Sequence, residues 1–270
     1  MIYYLFIFLF GLCIGSFLNC VVYRMELQEN MPKGSPHRKA VSFLRGKSFC
    51  PKCKHTLSWQ DLIPVFSFLF LRGKCRYCKK SISWQYLIVE IFTGLTFVLI
   101  FNFSRQGGIP PSGINLVFLF YVACVLIIIF IYDLKHYIIL DKVLFPAIAT
   151  VFLYQLIFSF RFLNFNPLLA GLGACAFFLF IFLFSGGRWM GFGDVKLAFF
   201  MGLFLGYPNI LVALFLAFFL GAIIGVGLII FENKNLKSEV PFGPFLITGT
   251  FLALLWGQEI INWYMNLFKI

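Results

Sequence analysis

Charge is what this sequence has least of: only 12% of its 270 residues are charged, ten of them acidic, and histidine occurs three times. An average soluble domain carries about 25% charged residues. A soluble fold needs a polar skin for its surface, so a soluble globular domain is excluded. Polar low-hydrophobicity tracts are also lacking, which excludes a disordered chain. The same lack of a polar skin excludes a secreted disulfide scaffold. Strict polar–apolar alternation is absent, which excludes a transmembrane β-barrel. There is no internal repeat or lipidation signal. The first apolar segment has neither a basic leader region nor a small-residue cleavage site, so it reads as a retained helix and not a signal peptide.

What the chain has in abundance is apolar surface: 61% hydrophobic residues, with 39 phenylalanines. The expected fold is all-α, a polytopic helical membrane protein. A spanning helix needs roughly 20 mostly apolar residues. Candidates are Ile2–Tyr23, Tyr86–Phe103, Ile114–Tyr132, Val143–Phe160, Pro167–Phe184, Val195–Tyr207, Ile210–Phe231 and Phe242–Phe268. Val195–Tyr207 is short for a span and lengthens if its helix begins near Gly191. Leu62–Leu71, between charged segments, reads as an interfacial or packed element.

Basic residues accumulate on the cytoplasmic side of membrane proteins. With the N-terminus outside and about eight helices alternating, nineteen of the 22 Lys and Arg residues face inward, thirteen of them between Arg24 and Lys80. Only Arg105, Arg161 and Lys269 remain outside. This charge is explained by topology and contact with anionic lipid. It does not interleave with the aromatic platform that binds bases, so no nucleic-acid partner is expected.

The polar region after the first helix contains Cys50-Pro-Lys-Cys53 and Cys75-Arg-Tyr-Cys78, separated by 21 residues. Each pair puts two thiolates on one turn, the bite that a tetrahedral zinc site needs. In a reducing cytoplasm disulfides are disfavoured, and nearby Lys and Arg favour thiolate. The expectation is a zinc-ribbon-like loop holding structural Zn²⁺ on Cys50, Cys53, Cys75 and Cys78. His55, two residues past Cys53, reads first as a solvated loop histidine and second as an alternative ligand. Four protein ligands close the site, so the metal staples the loop and leaves no position for a catalytic water. Cys13, Cys20, Cys124 and Cys175 lie in spans and read as small apolar fillers.

Two acids stand apart. Asp133 directly follows the third apolar run, and Asp194 opens a helix after Gly191-Phe192-Gly193. Both fall at the cytoplasmic edge, where ionisable groups are functional candidates. Two carboxylates brought together share one proton, and such a pair activates water as a base and protonates a leaving amine as an acid. Gly191 and Gly193 suit close approach of an extended substrate. Lys196 is placed to tune Asp194 or to touch substrate backbone. From spacing alone, Asp194 as a helix cap and Asp133 as a helix-end charge remain equally open.

The ordered set of motifs resembles the type IV prepilin peptidase family, the bifunctional prepilin leader peptidase/N-methyltransferases. It comprises Gly15-Ser16-Phe17-Leu18-Asn19 with Tyr23-Arg24, the two Cys pairs with Leu71-Arg72-Gly73-Lys74, Val89-Glu90 with Thr93-Gly94, Asp133, Gly191-Phe192-Gly193-Asp194-Val195-Lys196, and Pro241-Phe242-Gly243-Pro244-Phe245-Leu246. The resemblance spans almost the whole chain. It implies an aspartic endopeptidase of the bacterial cytoplasmic membrane that cuts leaders from prepilins or pseudopilins at a Gly–Phe type junction. It implies, too, methylation of the new N-terminus from S-adenosylmethionine. Asp133 and Asp194 match the catalytic pair, Asp141 a supporting acidic position, and Glu90, Gly94, Asn19 and Arg24 stretches that are candidates for methyl-donor binding. The implied organisation is a first helix over 1–23, a cytoplasmic methyltransferase-associated Cys loop over 24–85 and a peptidase core over 86–270. Gln60, Leu62, Gln85, Leu87 and Leu140 depart from common family residues without touching the aspartates or cysteines. Competing readings are a presenilin-like intramembrane protease, a transporter with Asp133 and Asp194 as ion sites, and a non-catalytic membrane assembly factor.

Overall fold

The computed structural model describes residues 2–30, 48–105, 113–158, 165–232 and 240–267. Lys33, Arg38, Lys39, Arg45, Lys47, Arg161, Lys234, Lys237 and Lys269, which enter the basic count, lie outside the described residues, as do the ends of the expected spans Val143–Phe160 and Phe242–Phe268. The described chain is helical: α1 (Ile2–Asn30), a 3-10 turn (Trp59–Leu62), α2 (Phe66–Phe70), α3 (Trp84–Arg105), α4 (Gly113–His136), α5 (Asp141–Phe158), α6 (Asn166–Ser185), α7 (Phe192–Leu205), α8 (Asn209–Glu232) and α9 (Gly243–Leu267). No strand forms among the described residues; two isolated β-bridges pair Phe49 with Thr56 and Lys74 with Ser81. Helices dominate because a backbone in hydrocarbon must satisfy its own hydrogen bonds.

Seven of these helices are long and apolar enough to cross a membrane. The two exceptions are α2, with five residues, and α7, with 14. At 1.5 Å per residue α7 is about 21 Å long, short of a bilayer core of about 30 Å. It begins at Phe192, so the helix does start near Gly191. The expected interfacial stretch Leu62–Leu71 carries α2, whose Phe66, Leu69 and Phe70 are exposed while Phe68 is buried.

The chain forms two compact units, Met1–Ile128 and Ile129–Ile270, dividing inside α4. In the first, α1 packs along α3. Small residues let the two backbones approach: a Cβ at Gly11 would stand 2.7 Å from Gly94 Cα, and one at Gly15 would stand 2.8 Å from Glu90 Cα. This is the small-residue packing that membrane helices use where burial from water gives no drive.

In the second unit α7 is central and packs against α5, α6, α8 and α9. Leu197, Ala198, Phe200, Met201 and Leu203 are fully buried in it. Neighbouring helices enclose its middle, while Phe192 at its start and Tyr207 just past its end are exposed. The side chain of Gln155 on α5 donates to the Leu203 carbonyl at 3.1 Å.

Candidate active site and metal centre

The two Cys-x-x-Cys turns fold identically. In the first, Cys50 N–H donates to the His55 carbonyl at 2.9 Å and Lys54 N–H to the Cys50 carbonyl at 2.9 Å. In the second, Cys75 N–H donates to the Lys80 carbonyl at 2.9 Å and Lys79 N–H to the Cys75 carbonyl at 3.0 Å. The residue after each second cysteine takes a left-handed backbone, Lys54 at φ 60° and Lys79 at φ 59°. Both turns therefore present their thiols alike. The four sulfurs all lie within 4.8 Å of one another. Tetrahedral ligands at about 2.3 Å from zinc stand about 3.8 Å apart, and Cys50 Sγ and Cys78 Sγ are 4.0 Å apart.

The electrostatics fit a dication. Burial opposes ionisation of Cys50, but the backbone N–H groups of Cys53 and Lys52 outweigh it and bring the thiol down to about 7. The N–H at His55 favours the Cys53 thiolate, yet burial and the neighbouring Cys50 push that thiol up to about 11. Close thiols do not ionise together unless a cation offsets their mutual repulsion, and metal binding supplies it by displacing the protons. His55 is not among the converging ligands: its ring stacks on Tyr77 with centroids 3.7 Å apart.

The carboxylate site is built from three helix ends. Asp133 lies one turn from the end of α4 and is 4% exposed; Asp194 lies in the first turn of α7 and is 8% exposed. Asp133 lies against Gly243, and Ile139 lies beside both Gly243 and Gly193, the residue before Asp194, so the two acids share one neighbourhood. Each is held by a backbone donor at a helix start: Gly243 N–H, opening α9, donates to Asp133, and Gly191 N–H, capping α7, donates to Asp194. Helix N-termini favour anions there. Ile139 joins the pieces, its Cβ 3.1 Å from where a Gly193 Cβ would stand and its Cδ1 3.5 Å from that of Gly243. At Gly191 the nearest atoms to an added Cβ are 3.9 Å away, so this glycine has the open face and Gly193 does not.

Lys196 pairs with Asp141, which opens α5. Its ammonium lies 5.4 Å from the ring centroids of both Phe145 and Phe192. The structure thus places Lys196 on Asp141 and not on Asp194. Gly243 was legible only as part of a motif. Its contact with Asp133 has no local sequence signal.

Asn19 and Arg24 lie on α1 and Glu90 and Gly94 on α3, the helix it packs along, and the three polar ones are buried. Glu90 accepts from Val65 N–H at 2.7 Å and from the Ser16 hydroxyl. The space beside Gly94 is filled by Phe8 at 2.9 Å. Asn19 donates to the Tyr86 carbonyl at 3.1 Å, while its buried Oδ1 has no hydrogen-bond partner among the described residues. Asp61, which the sequence reading does not single out, accepts hydrogen bonds from Ser58, Arg76 and Tyr77 of the cysteine loop. The Ser58-x-x-Asp61 spacing was the available signal.

Comparison with known proteins agrees with this architecture. The profile described as "Bacterial Peptidase A24 N-terminal domain" matches residues 9–103, and that described as "Type IV leader peptidase family" matches residues 120–226. The chain is 32% identical to the prepilin leader peptidase/N-methyltransferase of Aeromonas hydrophila, covering 99% of this chain and 95% of the relative. It is 32% identical to that of Legionella pneumophila, covering 97% and 94%, and 30% identical to that of Bacillus subtilis, covering 97% of both. No solved structure matches.

Proposed function

This chain belongs to the type IV leader peptidase family, and from that premise we propose that it is a bifunctional membrane enzyme: an aspartic endopeptidase that removes the leaders of prepilins or pseudopilins at a Gly–Phe type junction, and an N-methyltransferase acting on the new N-terminus with S-adenosylmethionine. What supports the peptidase reading is that Asp133 and Asp194 lie in one neighbourhood around Ile139, each with a backbone N–H from a helix start. One carboxylate takes a proton from water as that water attacks the scissile carbonyl. The other, protonated, gives its proton to the departing amine, so one hydrogen is carried by the pair throughout. The backbone donors orient the two acids without supplying competing protons. Gly191 leaves room for substrate backbone beside Asp194. Asp141 and Lys196 support the α5 and α7 starts that flank the pair.

The membrane setting is that of a multi-pass protein of the bacterial cytoplasmic membrane, with its N-terminus outside and the aspartates and cysteine loop on the cytoplasmic side. The thirteen Lys and Arg residues between Arg24 and Lys80, more than half of the 22 in the chain, support it. A leader in the cytoplasm followed by an apolar helix in lipid then brings its junction to the aspartates. The units of function proposed are the first helix (1–23), the cysteine loop (24–85) and the peptidase core (86–270).

Cys50, Cys53, Cys75 and Cys78 would hold Zn²⁺ as a closed four-thiolate site whose contribution is structural. S-adenosylmethionine, when bound, supplies the electrophilic methyl group. Of the four methyl-donor candidates Asn19 has an open acceptor, which suits an amine or amide donor; Glu90 is engaged by Val65 and Ser16, and Gly94 by Phe8. The test is to incubate the purified protein with a prepilin peptide spanning a Gly–Phe junction, with and without S-adenosylmethionine, and to weigh the products. The expected result is a shortened peptide, heavier by one methylene when the donor is present. An intact peptide under both conditions counts against the reading.

A further inference from the structure

We propose that Asp61 is a positioning residue for the four-thiol site: its carboxylate grips both middle residues of the second Cys-x-x-Cys turn and so holds Cys75 and Cys78 in register with Cys50 and Cys53. The inference rests on the metal reading of the four cysteines. It is carried by the hydrogen bonds around one side chain.

The Asp61 side chain is 3% exposed. Its Oδ1 accepts from Arg76 Nε at 2.7 Å. Its Oδ2 accepts from Ser58 N–H at 3.1 Å, from the Ser58 hydroxyl at 2.9 Å and from the Tyr77 hydroxyl at 3.3 Å. Arg76 and Tyr77 are the two residues between Cys75 and Cys78. Ser58 lies five residues beyond Cys53 and follows the β-bridge that closes the first turn. The carboxylate therefore ties the exit of one cysteine turn to the apex of the other. The Tyr77 ring reinforces the link by stacking on His55, just past Cys53, with centroids 3.7 Å apart and planes 19° from parallel.

The arrangement is one-sided. The first turn has Pro51 and Lys52 at its apex and needs little help, since proline pre-sets its backbone. The second turn has two flexible residues there, and both are held from outside. Groups beyond the ligands that orient a metal site typically affect affinity by about 10–100-fold when removed.

The experiment measures zinc release from the full chain, purified in detergent with its metal, to a coloured chelator in excess. Asp61→Asn keeps the size of the side chain but replaces the acceptor Oδ2, which takes three of the four bonds, by a donor. Zinc release is expected to be about 10-fold faster than from the wild type. Tyr77→Phe keeps the stack on His55 and loses only the hydroxyl bond, so a smaller acceleration of about 2–3-fold is expected; it decides the matter if Asp61→Asn does not purify. Combining the two should cost no more than Asp61→Asn alone, because both remove the same contact. With cobalt(II) in place of zinc, the visible thiolate spectrum should shift or broaden in Asp61→Asn, which a general loss of stability would not produce. Release at the wild-type rate from Asp61→Asn, or additive effects with an unchanged cobalt spectrum, overturns the proposal. A wild-type protein that holds no zinc removes the metal reading and this inference with it, whatever its peptidase activity.

Discussion

The Gly243 backbone N–H donates to Asp133, and a Cβ placed on Gly243 would collide with Asp133 Oδ2. The start of α9 and the end of α4 thus touch through one carboxylate, with no room for a side chain between them. Gly243→Ala is expected to push Asp133 aside and to cut leader cleavage by about 100-fold or more, since misplacement of a reacting group by about 1 Å costs that much. A steady-state assay on a prepilin peptide checks this. A variant that cleaves at the wild-type rate would show that Asp133 does not need its present place.

Asp133→Asn and Asp194→Asn should each abolish cleavage while the protein still inserts. Either change removes one of the two exchangeable positions for the shared proton, and an amide replaces neither the base nor the acid. Immunoblots of prepilin in cells expressing each variant distinguish the outcomes; mature-length pilin from either variant would favour the assembly-factor alternative.

Lys196 reaches Asp141 across the gap between α7 and α5. The Asp141 side chain is 54% exposed, so solvent screens the pair, and such pairs contribute about 0.2–1 kcal/mol. Lys196→Met and Asp141→Asn are each expected to lower stability by less than about 1 kcal/mol, with the double variant no worse than either. Thermal unfolding in detergent, run as a double-mutant cycle, measures this. Strict additivity would mean that the two groups act apart.

Cys50→Ser or Cys75→Ser should release zinc and depress methylation more than leader cleavage, because the cysteines lie in the first compact unit and both aspartates in the second. Metal analysis should find about one zinc per wild-type chain and a loss of most of it in either variant. Equal loss of both activities would contradict the separation.

Asp61 also sets a pH expectation. Burial works to raise its carboxyl, but the Ser58 bonds and Arg76 outweigh it and hold the group below its usual range. A depressed carboxyl contributes stability above its unfolded value of about 3.9 and loses it only as pH falls through the lower folded value. The ratio of zinc-release rates between Asp61→Asn and the wild type should therefore stay flat from about pH 6 to 8. A ratio falling toward one as pH drops through that window would contradict the assignment of the charge.

Much of the fold could be read locally. Runs such as Ile114–Tyr132 lie within α4, and the start of α7 falls near Gly191 as expected. The cysteine spacing anticipates four converging thiols because each pair is made by a single turn. Less legible were the partners of polar groups. Lys196 stands two residues from Asp194 yet pairs with Asp141, and Glu90, deep in α3, turns out to bind the Val65 N–H of the loop. Neighbours in sequence do not share a helix face, and α7 is apolar around its whole circumference, so periodicity says nothing about which side meets which helix.

The amino-acid sequence by itself determined that this is a helical membrane chain with a four-thiol loop and two acids at helix ends, because lipid forces every long apolar run into a helix and a two-residue spacing forces thiols onto one turn. Tertiary packing decided that Asp133 and the start of α7 lie in one neighbourhood around Ile139, that Gly243 stands against Asp133, and that Asp61 bonds to Ser58, Arg76 and Tyr77 across the cysteine loop. Those contacts join residues far apart along the chain, and only the way helices and turns seat against one another brings such residues within reach.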